Sequence, residues 1–275
     1  IAEIIGECKR MKIPVLPPDI NESFSGFTVV KVNEADAIRF GLTTIKNFGE
    51  GIGTSIIEER KTGGKFKSLS DFLRRIKDKN LNKKSLESLI KTGAMDSFGD
   101  RAELLHNLDR LLQFNKEERM GVKDQDSLFG GMVETKAHEI ELEKTSKTNQ
   151  ADKLLWEKEL LGLYISGHPL ESYKHKLENK ETNIKKIKET AKERDSVVIG
   201  GIVEEIRAVT TKAGEQMIFL RLADLGDNIE AVAFPKIFEE FKDILIPESC
   251  IVVKGTFSTR NGGKSILVDK IKLME

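Results

Sequence analysis

The stretch MIFLRLADLGDNIEAVAFP, from Met217 to Pro235, decides the fold of the C-terminal part of the sequence. Two runs rich in β-branched, aromatic and other apolar residues, Met217–Leu225 and Ile229–Phe234, flank a glycine turn, as in a pair of strands. Pro235 then stands where a helix begins, because proline is favoured in the first helical turn. The stretch therefore predicts two strands followed by a helix.

The sequence on both sides of this stretch completes a small barrel. Alternating apolar residues and glycine turns indicate three more strands, and apolar residues at helical spacing extend the helix over Pro235–Leu245. In chain order the predicted strands are Ser196–Ile206, Met217–Leu225, Ile229–Phe234, Ser249–Phe257 and Ser265–Leu273. Five strands with a helix between the third and the fourth form the oligonucleotide/oligosaccharide-binding (OB) arrangement.

The second strand of this predicted barrel carries a candidate site for single-stranded DNA. Phe219 and Arg221 are two residues apart, so both side chains lie on one face, where a ring can stack on a base beside a cation. Arg207 and Lys212 complete this candidate site. From Thr190 to the end, twelve basic and fourteen acidic residues give a net charge of −2, so we expect the barrel to bind nucleic acid weakly.

A second informative stretch, IKNFGEGIGTSIIEER from Ile45 to Arg60, predicts a helix, a hairpin and a second helix. Because glycine inside a helix is unfavourable by about 1 kcal/mol relative to alanine, its glycines indicate a turn between two short helices. Free N–H groups at the start of the second helix can hold a phosphate. A plain structural turn is the alternative. The candidate residues for binding duplex DNA are Lys46, Asn47, Phe48, Gly49, Gly51 and Gly53.

A second helical pair follows in a basic stretch. From Arg60 to Lys91 the sequence has eleven Lys or Arg residues and three acidic ones, a net charge of +8 in a chain whose formal net charge is +0. Within KKSLESLIKTGAMDSFG, from Lys83 to Gly99, a glycine turn follows one apolar helix, and Arg101–Glu118 is predicted as the next. Two hairpins on a basic surface fit sequence-independent binding of a DNA backbone, whereas the alternative is a solvated helix face. The candidate duplex-binding residues of this second hairpin are Lys91, Thr92 and Gly93.

The pentapeptide Gln125-Asp126-Ser127-Leu128-Phe129 lies in the most polar segment of the sequence. Leu128 and Phe129 are adjacent large apolar residues with no hydrophobic period around them, so they either cover a patch on a neighbouring domain or anchor a partner. Asp124 and Asp126 have the spacing of a metal-binding pair, but such a pair needs a rigid strand. The composition predicts a flexible segment here, so we expect no metal site.

The bulk composition excludes several classes of protein. Cys8 and Cys250 are the only cysteines in the 275 residues, which excludes a disulfide framework and fits a reducing cytoplasm. No zinc spacing, phosphate-binding loop or G-x-S-x-G motif occurs, and no apolar run is long enough to span a bilayer. We therefore expect no membrane, no metal and no self-contained enzyme.

Six features follow one another along the chain: ECKRMKIPVLPPDINESF, IKNFGEGIGTSIIEER, KKSLESLIKTGAMDSFG, QDSLF, WEKELLGLYISGHPL and the terminal barrel. In these motifs and in their order the sequence resembles, over essentially all of its length, the alpha subunits of bacterial replicative DNA polymerase III. The resemblance implies an α+β multidomain chain that is part of a longer polypeptide. The implied parts are the end of the fingers and a connector over 1–38, a tandem helix-hairpin-helix duplex-binding domain over 39–119, a flexible clamp-binding segment and linker helix over 120–194, and an OB-fold domain over 195–275.

The resemblance also implies partners. Gln125 would take a hydrogen-bonding role on the beta sliding clamp, with Leu128 and Phe129 in a hydrophobic pocket of the clamp. The barrel would lie near the single-stranded template, and the hairpins would contact the duplex backbone. The first hairpin departs from the pattern at Asn47, which replaces the usual leading glycine but tolerates the left-handed conformation.

The palm carboxylates and two further domains of these polymerases are missing from this sequence. The parent is therefore implied to be a DNA-directed DNA polymerase that uses Mg²⁺ and binds other holoenzyme subunits in the bacterial cytoplasm. This chain itself is expected to have no catalytic residue and no cofactor. We predict a DNA-binding and clamp-binding processivity region; the alternative is a structural adaptor whose barrel mainly binds protein.

Overall fold

The structure is a computed structural model that describes residues 7–8, 11–120, 139–178, 183–260 and 263–274. The chain divides into two compact units, Ile1–Gly167 and His168–Glu275, each with its own hydrophobic core. The predicted fold class, a helical hairpin domain followed by a five-stranded OB barrel in an α+β chain, is confirmed.

A small sheet begins the first unit. Its strands are β1 (Val15–Leu16), β2 (Thr28–Val32) and β3 (Ala35–Arg39), in the order β1-β3-β2. β1 is parallel to β3, and β2 is antiparallel to it. Asn33 and Glu34 connect β2 to β3 at φ values of 49° and 69°, as a tight two-residue hairpin requires.

The helices of the first unit share one core. They are α1 (Glu50–Gly63), α2 (Leu69–Arg75), α3 (Lys83–Lys91), α4 (Arg101–His106), α5 (Leu108–Met120) and α6 (Gln150–Leu161). Phe40, Phe72 and Leu86 are among the fully buried side chains of this core. Burying one such side chain contributes about 1.5–3 kcal/mol, so packing, rather than helix propensity, holds these short helices.

The helix predicted before the first hairpin is a single 3-10 turn, Leu42–Thr44. Its first two backbone N–H groups bond to the preceding segment, and only the N–H groups of Thr44 and Ile45 close the turn, at 3.3 Å each. The Leu42 N–H donates to the Phe24 carbonyl at 2.9 Å, and the Thr43 N–H donates to the Ser25 carbonyl at 3.1 Å. The apolar spacing in this part of the sequence reflects packing in the core, and the prediction of a full helix was wrong.

The helix predicted over Arg101–Glu118 is divided into α4 and α5 at Asn107. Asn107 is buried, its Nδ2 donates to the Glu143 carbonyl at 2.9 Å, and its Oδ1 accepts from the Glu143 N–H at 2.9 Å. A side chain that binds a distant backbone in this way competes with regular helix geometry.

The second unit is a closed barrel preceded by short helices. A 3-10 helix (Pro169–Tyr173), α7 (Lys174–Glu178) and α8 (Ile184–Thr190) come first. The strands are β4 (Ser196–Thr210), β5 (Gln216–Ala223), β6 (Asn228–Ala233), β7 (Cys250–Ser258) and β8 (Ser265–Leu273), and α9 (Pro235–Phe241) lies between β6 and β7. The barrel order is β4-β5-β6-β8-β7, in which β6 and β8 are parallel.

The predicted barrel helix was four residues too long. Beyond Phe241 the chain makes turn-like bonds, in which the N–H groups of Ile244 and Leu245 both donate to the Phe241 carbonyl, at 3.1 and 3.2 Å. Leu245 is nevertheless buried in the barrel core. Among the described residues, no helix is long and apolar enough to cross a membrane.

Candidate nucleic-acid interface

The first hairpin is a tight turn held from inside the protein. Ile45 and Phe48 are buried, whereas Lys46 and Asn47 between them are exposed. Asn47 has a φ of 65°, in the left-handed region that asparagine enters more readily than most residues. The Lys46 N–H donates to the Leu160 carbonyl near the end of α6 at 2.9 Å. The turn is therefore fixed, and its tip faces solvent.

No side chain caps the start of α1. The N-cap residue is Gly49, which has no side chain that could accept a hydrogen bond from the first N–H groups of the helix. A Cβ added at Gly49 or at Gly51 would have no atom within 4 Å, so the space beside the first N–H groups is open. These N–H groups stand at the positive end of a 14-residue helix, an arrangement that binds anions. Glu50, in the same turn, partly offsets this positive potential.

Gly53 has a different role from the other hairpin glycines. It is buried, and a Cβ there would lie 3.2 Å from Thr43 Cγ2 and 3.4 Å from the Phe48 ring. Gly53 and Phe48 therefore let α1 pack closely on the turn, and neither of them faces solvent.

The second hairpin does not present its predicted residues to solvent. Thr92 is 0% exposed and donates its hydroxyl to the Ser88 carbonyl at 2.7 Å. Gly93 is also buried, at a φ of 82°. Lys91 is half-buried, forms an ion pair with Glu87 at 2.6 Å and lies 5.9 Å from the centre of the Trp156 ring. We therefore leave Thr92 and Gly93 out of the proposed interface.

The start of α4 is already occupied by groups of the protein itself. Asp100 is the N-cap residue, and its Oδ1 accepts from the Ala102 N–H at 3.0 Å. The same oxygen accepts from the Thr148 N–H at 2.9 Å and from the Thr148 hydroxyl at 2.7 Å. Burial acts to raise the pKa of Asp100, but the hydrogen bonds from Thr148 and Ala102 outweigh it and lower the pKa below 3.8. A carboxylate held ionised here leaves no place for a phosphate.

A buried ion network that the sequence did not reveal fixes this second hairpin. Arg101 is 3% exposed, binds Asp96 through two nitrogens at 2.9 Å and donates to the Lys91 carbonyl at 3.0 Å. Its Nη1 also lies 3.4 Å from Glu157, which is 0% exposed. Glu157 Oε2 accepts from the backbone N–H groups of Ile165 and Ser166, both at 2.9 Å.

One feature of the sequence, which the sequence analysis did not use, is a signal of this network. Leu154, Glu157 and Leu161 follow each other at helical spacing, so the glutamate lies on the apolar face of α6. A charge in that position needs a buried partner, but the sequence did not identify Arg101 as the partner.

Several cations of the basic stretch are structural. Arg60 donates to the Ile20 and Ser23 carbonyls at 2.7 and 2.8 Å, and Arg75 binds Glu59 and Asp71 at 3.0 and 3.2 Å. Other members of the stretch are exposed and make no ion pair with any described residue; Lys61, Lys67, Lys79 and Lys84 are among them. The charge available to a ligand is therefore smaller than +8.

On the barrel, the structure brings together three of the four residues predicted for single-stranded DNA. Arg207 and Phe219 are partners on β4 and β5, and the guanidinium lies 4.9 Å from the ring centre. Arg221, on the same face of β5 as Phe219, lies 3.4 Å from Glu204 and 4.0 Å from Glu205. The fourth residue, Lys212, is exposed in the turn between β4 and β5.

The pentapeptide Gln125–Phe129 lies outside the described residues, so its predicted role stays a prediction. Asp124 lies outside them as well. In the part of the chain that the structure describes, no group of three or more His, Cys, Asp or Glu side chains is arranged to hold a metal ion.

Two families match parts of the chain. The family described as "Helix-hairpin-helix motif" matches residues 12–104, which include both hairpins. The family described as "OB-fold nucleic acid binding domain" matches residues 197–274, which include the barrel strands except for the first residue of β4.

Full-length relatives match nearly the whole chain. It is 39% identical over 242 residues to the DNA polymerase III subunit alpha of Thermus aquaticus, a match that covers 87% of the chain and 19% of that protein. It is 38% identical to the corresponding subunit of Aquifex aeolicus, covering 92% of the chain and 20% of the relative. The chain thus spans about a fifth of the length of these relatives.

One solved structure that resembles part of the chain is a mitochondrial single-stranded DNA binding protein from S. cerevisiae. The match covers 30% of the chain and 98% of that protein, at 12% identity and a TM-score of 0.27.

Proposed function

We propose, from the premise that the chain belongs to the DNA polymerase III alpha-subunit family, that it forms a duplex-binding part of such a subunit. The proposed contact runs through the tip of the first hairpin to the phosphate backbone. One observation carries the proposal: the start of α1 is exposed, lined by glycine and free of a side-chain cap.

The chemistry of this tip supports contact with phosphate rather than with bases. Free N–H groups at the positive end of a helix donate to phosphate oxygens, and Gly49 and Gly51 let the backbone approach closely. Lys46 adds an exposed point charge beside them. Contacts of this kind position a protein on DNA without carrying sequence information.

The test is to place a carboxylate where the phosphate would bind. In Gly51→Asp the new acid lies in the first turn of α1, where it favours the helix, yet it repels a phosphate. We expect duplex affinity to fall about tenfold at about 0.1 M salt, with no loss of thermal stability. Fluorescence anisotropy with a labelled duplex measures the affinity.

The matched control is Thr62→Asp, which makes the same charge change at the exposed far end of α1. Eleven residues of helix separate the two sites by about 16 Å, beyond the Debye length of about 10 Å at that salt. Equal losses of affinity in the two variants would contradict the proposal, because a general charge effect would then explain both.

We also propose that Gln125–Phe129 tethers the chain to a sliding clamp. The support is the resemblance of the pentapeptide to a Q-x-x-L-F motif, together with its place between the hairpins and the barrel. Replacing Leu128 and Phe129 by alanine should abolish binding to the clamp in a calorimetric titration. Because burying two such side chains gives on the order of 3–5 kcal/mol, the motif alone should bind weakly, in the micromolar class. Unchanged affinity of the double variant would contradict the tether.

For the longer protein we propose DNA-directed DNA synthesis with Mg²⁺ in the bacterial cytoplasm, together with assembly with other holoenzyme subunits. The support is the name shared by its relatives. The chemistry is assigned to parts of the subunit outside this chain. Incubation of the chain with primed template, nucleotides and Mg²⁺ should therefore extend no primer, and any extension product would overturn this division of roles.

A second candidate function is a structural adaptor, in which the hairpins only pack and the barrel mainly binds protein. The observation in its favour is that Arg60, Arg75 and Lys91 bind groups of the chain itself. The two functions differ in salt dependence. Backbone binding through several cations weakens steeply as salt rises, whereas an adaptor shows little such dependence.

A further inference from the structure

The outer face of the barrel has a cavity of about 390 Å³ between β4, β5 and β6. The cavity spans these three neighbouring strands, on which Glu205, Arg221 and Glu230 are cross-strand neighbours in one row. The next row along the strands begins with Arg207 and Phe219. The two rows give the cavity an aromatic part and a polar part.

The aromatic part is a ring with a cation over it. The Arg207 guanidinium lies over the Phe219 ring at 4.9 Å, within the range of a cation–π contact. Guanidinium planes and aromatic rings are the groups on which unstacked bases of single strands rest. A base that stacks on the Arg207 guanidinium would form the third layer of a stack, above Arg207 and Phe219.

The polar part offers hydrogen-bonding groups that are not used within the protein. Asn228 and Glu230 are two residues apart on β6, so their side chains lie on the same face of the strand, where both line the cavity. Neither side chain has a hydrogen bond or an ion pair with any described residue. Glu230 is the cross-strand partner of Arg221, but Arg221 forms its ion pairs with Glu204 and Glu205 instead.

The charge of this face disfavours a phosphate as the ligand of the cavity. Two guanidinium groups, Arg207 and Arg221, stand against three carboxylates, Glu204, Glu205 and Glu230. A carboxylate without a cation partner repels a phosphate but accepts hydrogen bonds from the amino and ring N–H groups of bases.

We infer that this cavity takes a guanine base of single-stranded DNA, an inference that rests on the proposed binding of DNA by this chain. Guanine offers two adjacent donors, its ring N–H and its amino group, and the Glu230 carboxylate accepts hydrogen bonds from both. The Asn228 amide donates a hydrogen bond to the guanine carbonyl beside them. Thymine has one ring N–H between two carbonyl oxygens, which face the carboxylate unfavourably. Adenine and cytosine offer an amino group but no adjacent ring N–H. The barrel therefore selects guanine and rejects thymine most strongly.

The test compares two labelled single strands of about twelve nucleotides, a length within the range covered by one OB fold. One strand is oligothymidylate, and in the other every second thymidine is replaced by deoxyguanosine. Fluorescence anisotropy with the whole chain should give about tenfold tighter binding of the guanine-containing strand, the size of one good bidentate base contact. In Glu230→Gln the preference should fall to about twofold or less, while binding of oligothymidylate stays the same or improves.

The matched control is Glu240→Gln, which removes one exposed carboxylate on α9 and should keep the full preference. Equal affinity of the two strands for the unaltered chain, no binding of either, or a preference that survives in Glu230→Gln would each overturn the inference. Binding of an arginine-rich peptide that is lost in Glu230→Gln, with no binding of the strands, would assign the cavity to a protein partner and overturn it too. A parallel titration with duplex separates this result from the proposed function, because duplex binding through the first hairpin does not involve Glu230.

Discussion

In the first hairpin the residue before the second helix is Gly49, and in the second hairpin it is Asp100. Both turns contain a residue at positive φ, Asn47 at 65° and Gly93 at 82°. The two hairpins differ in the groups that lie beside the first N–H groups of the following helix. Open space surrounds Gly49 and Gly51 of the first hairpin, whereas Thr148 and the Arg101 network fill the second.

This difference separates binding from scaffolding in two segments of similar sequence plan. A helix start binds an anion only while its N–H groups lack a partner. In the second hairpin the Ala102 N–H already has partners, because it donates to Asp100 Oδ1 and to the Thr148 hydroxyl of the irregular segment 139–149. The ion network makes the turn part of the core. We therefore expect changes in the second hairpin to alter stability and changes in the first to alter DNA binding.

The largest effect is expected from Arg101→Ala. The change leaves the Glu157 carboxylate buried with only the N–H groups of Ile165 and Ser166 as partners, so the free energy of unfolding should fall by about 3–5 kcal/mol. Urea denaturation followed by fluorescence of Trp156, the single tryptophan, measures this. The control is Arg110→Ala, which removes an exposed ion pair with Glu143 at 3.6 Å and should change stability by about 1 kcal/mol at most. A similar small change in both variants would mean that the network is not structural.

A comparison of the two positive-φ residues should give the next largest effect. A side chain at Gly93 would overlap the Arg101 guanidinium, so Gly93→Ala should destabilise the chain by about 2 kcal/mol or more. Asn47→Ala overlaps no neighbour and has only the penalty of a positive φ, so its free energy of unfolding should fall by about 1 kcal/mol. For Asn47→Gly the free energy of unfolding should change by no more than about 0.5 kcal/mol. Thermal unfolding of the three variants checks this order. An equal loss in Gly93→Ala and Asn47→Ala would show that the second turn is as open as the first.

The Asp100 cap should contribute about 1 kcal/mol, which Asp100→Ala removes. This contribution depends on pH, because hydrogen bonds from Thr148 and Ala102 lower the folded pKa below the ordinary value of 3.8. A lowered pKa stabilises the folded state fully above the unfolded value, and the effect is lost as the pH falls through the folded pKa. The advantage of the unaltered chain over Asp100→Asn should therefore shrink in that acid range. An advantage that is constant with pH in urea titrations would contradict the role of the charge.

The smallest effect is expected from single lysines. Lys46→Ala removes an exposed cation at the first hairpin and should weaken duplex binding about threefold, lowering the slope of log affinity against log salt by about 1. Lys91→Ala removes a cation that is already paired with Glu87, so duplex binding should change less than about twofold. A larger loss in Lys91→Ala than in Lys46→Ala would reverse the roles that we give to the two hairpins.

Sequence patterns predicted the barrel more completely than they predicted the hairpins. The order of the strands along the chain and the helix after the third strand are as expected, because period-two patterning and glycine turns are local signals. The helix break at Asn107 and the burial of Thr92 were missed, since each depends on contacts with distant parts of the chain or on packing. The guanidinium–ring contact of Arg207 and Phe219 was partly anticipated, because the residues were named together but their contact was not.

By itself, the sequence determined the two kinds of unit, the positions of the turns and the positive-φ conformation that Asn47 and Gly93 accept. These features follow from the preferences of single residues and their near neighbours. Only the tertiary structure decided which hairpin stays open, which cations remain exposed and that Glu157 pairs with Arg101. Burial and partner choice depend on groups far apart in the chain, whose meeting no local pattern records.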